Sequence, residues 1–433
     1  MTKFLSVLMT ITLATAACSD FTNSGNDKRP PRGPGADNKP AGSNPLPTEY
    51  QKPNEGPFSE AKMLVNIGMN VIVPAVNDLA IQSASLHQEV LKYCEALDAD
   101  IDVQEHEDSV KAQWQKTMLA FHFLDAAPIG PLTDDGRFLA DYIYSWPYLN
   151  ICGIDQEVVK LDETNTPNHR LVYNLKGLGA LEYLLFEPTL TSTCNRRANP
   201  KVVAWMDKPS LEKKADRCAF ARVLTEDVVA KTKLLENRWN LNEGNFTKTL
   251  IDGSRYTSVK EATNAMTDAL FAIEKVKDHR LGRPLGRHKD CISDTGKCVD
   301  LAEHPWSGLA LRGAEEQLKG FQAVFFGSKN PRESAFGFDD FLAQQGQPQV
   351  AERIKSEVQD AIASAKVLST QGTFQEQLEK MDTALCAQTT KENRKEALCG
   401  LHEDVRAIST SMKIDVLTIL SLRAPPVYQG DND

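Results

Sequence analysis

Positive charge is in short supply here: 49 Lys and Arg stand against 59 Asp and Glu, a formal net charge of −10. Nucleic-acid binding draws its affinity from a basic footprint, so no nucleic-acid partner is expected. No segment sustains the apolar/polar alternation of a strand, which excludes a sheet-based fold. His-Glu-x-x-His is missing, and with it the helix of an ordinary zinc protease. Missing too are a Gly-x-Ser-x-Gly elbow, a phosphate-binding P-loop and any Cys-x-x-Cys pair, so serine-hydrolase, nucleotide and thiolate-metal chemistry have no local support. The apolar run at 4–13 is too short to cross a bilayer.

That short run fits an export signal instead. Lys3 supplies the positive start and Ala14, Thr15, Ala16 and Ala17 the small residues before a cleavage point, giving a signal segment at 1–17. Cys18 follows directly, as in a bacterial lipobox where that cysteine carries the lipid, although Thr15 departs from the usual Leu or Val. Ser19 rather than Asp comes next, which in such lipoproteins implies the periplasmic side of the outer membrane; ordinary secretion or the cell surface is the alternative. Residues 18–57 are rich in Asn, Gly, Pro and Lys and nearly free of apolar side chains, so they are expected to form a flexible tether. Cysteine use agrees with export. Cys18 apart, eight remain, and an even set outside the cytosol reads as disulfides. Sequence does not determine their connectivity; the preferred pairs are Cys291–Cys298 and Cys386–Cys399, then Cys194–Cys218, leaving Cys94–Cys152.

The remaining length, in a chain that is 41% apolar, suffices for two domains. Helical spacing runs through 59–97, with Ser59 placed to cap and Pro74 placed to kink or divide, and through 107–123, 169–186 and 210–239. Ser258, Val259 and Lys260 open a second set that repeats the Ser109, Val110, Lys111 start, and 319–324 echoes 176–181. The expected fold class is therefore all-α: two up-and-down helical bundles, 58–240 and 241–425, related by an internal duplication, with a tail at 426–433. Between them 280–286 reads as a Gly/Pro loop, basic, with His279 and His288 solvated beside it.

The stretch 176–186 carries the chemistry. Leu178, Leu181, Leu184 and Leu185 make one apolar face. Gly177 and Gly179 interrupt an otherwise strong helix, which signals a close backbone or ligand. Glu182 shares a face with Gly179. This stretch resembles the Gly-x-His-x-x-Glu signature of the imelysin-like family (the peptidase M75 group). Gly177, Glu182 and 183–186 match it, while Gly179 stands where the family has His. Asp125, Gly130 and Pro131 resemble the family's Glu-Ala-Phe-Arg-Phe-Gly-Pro turn, with Pro128 in place of its Arg. Trp146-Pro147 and Glu303-His304-Pro305-Trp306-Ser307 resemble two further family motifs, the second with His304 for Ser.

The resemblance implies a central pocket near Gly177, Gly179, Trp114 and Ser307, a link to iron or other metal acquisition, and a peptidase label. In the family the His and Glu suit one cation; here Glu182 alone remains, and a lone carboxylate is a poor transition-metal site. Glu182 is either a functional acid or a structural carboxylate paired with an Arg or with backbone donors. A relocated cation site of Glu182, Asp125, Glu303 and His304, with His122 beside Asp125, would take a divalent or ferric cation; satisfied polar residues at a helix-end interface are the alternative. Trp114, Trp146 and Trp306 read as packing residues. Three functions follow from the resemblance: a non-catalytic binding or accessory protein of metal uptake, meeting a metal ion or an uptake-system protein; a metallopeptidase; or an interaction scaffold whose pocket holds no metal. Gly179 and Pro128 weigh against the second, and no catalytic residue is assigned.

Overall fold

The computed structural model describes residues 46–330 and 334–423. The signal segment, Cys18, most of the tether and the tail at 426–433 lie outside the described residues. From residue 46 onward the chain forms one compact unit, all-α, with no strand among the described residues. The last part of the expected tether is attached to the body: Leu46 is buried, and the Asn54 side chain bonds the Asn66 side chain and the Phe336 amide.

Helix α1 runs over Glu60–Ala99, and Ser59 caps it by accepting from the Lys62 amide. Pro74 neither breaks it nor leaves it regular. The turns just before the proline, Ile67–Ile72, widen into a π-helix, an adjustment that accommodates the missing N–H without ending the helix. Helix α2 is Val103–Leu124, α3 Asp134–Ile143, α4 Ile151–Thr164 and α5 Gly177–Phe186. The expected helix at 169–186 thus starts later. Gly177 has φ +78°, and a Cβ there would fall 2.6 Å from the Ile143 carbonyl oxygen, so a tight extended entry replaces the first turns. Helix α6, Ser210–Trp239, packs along α1 and α5.

Beyond it lie α7 (Val259–Leu270), capped by Ser258, then α8 (Ala310–Phe325), α9 (Pro348–Ser369) and α10 (Ala397–Ser411). Helix α8 packs on α9 on one side and on α2 on the other, so α2 and α8 join the earlier helices to the later ones. The expected loop at 280–286 begins as helix: Lys275–Gly282 is a second π-helical segment, packed on α10 and α8. His279, expected in solvent, is half-buried on it beside His288, and burial with nearby Arg283 pulls its imidazole down to about 4.

Four disulfides pin this body. Cys291–Cys298 and Cys386–Cys399 are the local pairs expected. The other two differ from expectation: Cys94 joins Cys218 and Cys152 joins Cys194. The reason is packing. Cys94 on α1 faces Cys218 on α6 across the helix pair, while Cys152 opens α4 under the loop that carries Cys194.

Candidate functional site

Where α2, α5, α8 and the π segment at 275–282 meet, a chain of buried polar groups runs through the apolar core. At one end, Glu182 on α5 accepts from the Ser307 amide at 3.0 Å and the Ser307 hydroxyl at 2.8 Å on one oxygen. Its other oxygen lies 2.8 Å from His304 Nδ1. His304 Nε2 faces His122 Nε2 at 2.8 Å. His122 Nδ1 lies 2.7 Å from Arg280 Nη1. Arg280 then reaches Asp125 through Nη2 at 3.0 Å, Glu303 through Nε at 3.1 Å, and the Gln317 side-chain oxygen. Glu303 takes a second bond from the Tyr144 hydroxyl at 2.8 Å. Asp125 also meets Lys275 at 3.0 Å and Arg137 at 3.8 Å. Glu182, His304, His122, Arg280, Asp125 and Glu303 are all at most 2% exposed.

One arrangement of protons serves the line from Arg280 to Glu182, while Arg280 Nε and Glu303 Oε2 meet as an ion pair without a hydrogen bond. A guanidinium only donates, so His122 Nδ1 accepts and its proton sits on Nε2. That proton points at His304 Nε2, which therefore accepts, leaving the His304 proton on Nδ1, aimed at Glu182. Both imidazoles are neutral. Burial and the adjacent Arg280 keep His122 well below its usual range, in agreement. Burial alone would raise the Asp125 carboxyl, but Lys275, Arg280 and Arg137 outweigh it and hold it below the usual carboxylate range. Burial, then Glu303 and Glu182, push the Tyr144 hydroxyl well up, so it stays a donor.

The four residues expected to share a cation are thus distributed along a line. His122, Glu303 and His304 place three ligand atoms within 4.8 Å of one another, while Glu182 and Asp125 stand one partner further out on opposite sides. The set does not fit a metal ion. Arg280 takes the His122 lone pair and one oxygen each of Glu303 and Asp125, and the proton it forces onto His122 Nε2 blocks the nitrogen that would ligate. The place of a cation is filled by a guanidinium.

Helix α8 allows this closeness. A Cβ at Gly313 would fall 2.7 Å from His122 Nε2, and one at Gly320 would run into the Phe123 carbonyl. Because the His122 ring is held at both nitrogens, Gly313→Ala is expected to cost about 1–3 kcal/mol as overpacking, measurable as a lower urea midpoint with an unchanged slope.

Beside the Glu182 end opens a cleft of about 340 Å³, walled by Tyr144, Trp146, Trp306, Leu149 and Ile151, with Gly179, Glu182 and His304 at its floor. Trp146 and Trp306 therefore face the cleft as well as the core. Of the expected pocket residues, Gly179 lines it: a Cβ there would meet only Leu149 and Tyr144 at ordinary contact, 3.6 Å or more. Gly177 instead packs on α3, and Trp114 lies behind His304, its indole N–H bonded to the Leu178 carbonyl. Ser307 holds Glu182 from the side. Arg280, which meets His122 Nδ1, was missed because 275–282 has neither helical nor strand periodicity and Arg280 looked like one charge in a basic loop.

An imelysin-like protein from Psychrobacter arcticum is 15% identical over 85% of this chain and 98% of its own, with a TM-score of 0.57. A protein from Parabacteroides distasonis, described as an iron-regulated protein A precursor, is 15% identical over 83% of this chain and 96% of its own, with a TM-score of 0.59. At such identity these likenesses speak for the fold. No curated protein matches the sequence. The family model described as Imelysin, peptidase M75, matches residues 72–412, well over half of the 433, and the chain belongs to the imelysin family.

Proposed function

We propose that this chain is a non-catalytic binding protein of iron acquisition, exported, anchored through Cys18 to the periplasmic side of the outer membrane, whose central cleft takes an organic ligand and not a metal ion. The observation that carries the reading is Arg280. Its guanidinium is the cation of the buried cluster, so Asp125 and Glu303 need no ion. The described name of the Parabacteroides relative supports the iron link, and the disulfides support an oxidising compartment.

Against a peptidase, the described residues of the cleft form no Ser–His pair, and the guanidinium of Arg280 stands where a metallopeptidase would hold its ion. Ser307 and His304 both bond Glu182 as parallel donors. The second nitrogen of His304 faces His122 and not the Ser307 hydroxyl, so Ser307 has no imidazole base. An organic ligand suits a cleft that is mostly apolar with a few polar groups at its floor.

Metal analysis of the purified chain, followed by calorimetric titration with Zn²⁺, Mn²⁺ and Fe³⁺, is expected to find no stoichiometric site. One tightly held equivalent lost in Glu182→Ala, or peptide hydrolysis abolished by a chelator, would overturn the reading.

A further inference from the structure

The proton arrangement fixed by Arg280 has an electrostatic residue at its far end. Asp125 is ringed by Lys275, Arg280 and Arg137, and Glu303 shares Arg280. Glu182 has no such cation. Among the described residues its partners are the Ser307 amide, the Ser307 hydroxyl and a His304 that the chain holds neutral. It is 2% exposed, so water reaches it little. Both Glu182 oxygens are acceptors in these bonds, and no cation among those partners offsets a negative charge there.

That charge lies at the floor of the cleft. The remaining charged groups there are Asp290 and Asp300 at the rim and Arg283, which is committed to Asp290 at 2.6 Å. The cleft is therefore net acidic. Tyr144, Trp146 and Trp306 line it, and aromatic rings attract organic cations. At the floor an inorganic cation would find one carboxylate, with both His304 nitrogens engaged and Asp290 paired with Arg283. Gly179, facing the same space, leaves room at the floor for a ligand's head group.

We propose that the cleft binds a small organic cation, an ammonium or guanidinium group on an apolar or aromatic body, with the charged head on Glu182 and the body between Trp146 and Trp306. This rests on the reading of the cleft as a metal-free ligand pocket and adds the sign of the ligand.

Calorimetric titrations of the full chain with benzylammonium, benzyl alcohol and benzoate, which share one body and differ in charge, test it. Benzylammonium should bind about tenfold more tightly than the alcohol, with benzoate weakest. Glu182→Gln, which keeps an oxygen for Ser307 and removes the charge, should level ammonium and alcohol while circular dichroism stays unchanged. Gly179→Leu, which fills the floor, should weaken both. Equal binding of ammonium and alcohol, an ammonium preference that survives Glu182→Gln, or a preference for benzoate overturns the charge inference and leaves the pocket standing. Failure of all three probes to bind overturns the pocket and the inference together, and a Glu182-dependent response to Zn²⁺ alone would give the site to a metal.

Discussion

Arg280→Met is expected to lower folding stability by about 3–5 kcal/mol, the usual cost of removing one partner from a buried ion pair. The long apolar side chain retains much of the packing, so the loss measures the stranded groups. Lys275 still holds the Asp125 oxygen that Arg280 shares, but Glu303 Oε2 loses its cation and His122 Nδ1 its donor. The pH dependence has a definite sign. The folded Asp125 carboxyl lies below its ordinary 3.8, so its contribution is present above that value and disappears as pH falls through the lower folded one. Arg280 supplies part of that depression. The gap between wild type and variant should therefore be widest near neutrality and narrow on acidification below about pH 4. Denaturant titrations of both proteins across that range check it, and a gap that widens in acid would refute the assignment. The same variant frees His122, Glu303 and His304 from a competing donor. Zinc should raise its melting temperature and leave the wild type unmoved; equal responses would show that Arg280 does not hold the ion's place.

Removing the Cys94–Cys218 bridge by a double alanine substitution should cost still more. The bridge closes a loop with a sequence separation of 124, and loop-closure entropy puts its contribution at about 5 kcal/mol. The Cys291–Cys298 bridge, with a separation of 7, comes to about 2.5 kcal/mol on the same scale. The ordering of the two losses, read from unfolding free energies of the double variants, tests the account more sharply than either value. A larger loss from the short loop would mean that strain or residual structure, and not closure entropy, sets the effect.

Much of the fold was legible before any coordinates. Ser59 and Ser258 announce their helices because a short side chain that accepts from the third amide onward is a local device. Gly177 and Glu182 stood out by their placement in one helix, and His304 beside Glu303 through the resemblance to a family motif. What escaped the reading depends on distant approach. Gly313 looks like a helix defect until His122 is seen against it. Cys94 and Cys218 belong to helices whose mutual packing no local pattern states. Arg280 escaped because a π-helix advances with a period that neither the 3.6-residue nor the two-residue template detects. Gly179 was read as standing where the family has a ligand, and the cation found among the buried carboxylates, Arg280, comes from another stretch of chain.

The wider winding of 275–282 bears on how such sequences should be compared. Each residue of an ordinary helix turns the next by about 100°, so a one-residue deletion upstream of Arg280 swings the guanidinium away from Asp125 and Glu303 without altering its side chain. A length change there is equivalent to erasing the charge. Whether a chain of this fold carries such a built-in counter-ion is therefore set by the length of this segment as well as by the residue at its end.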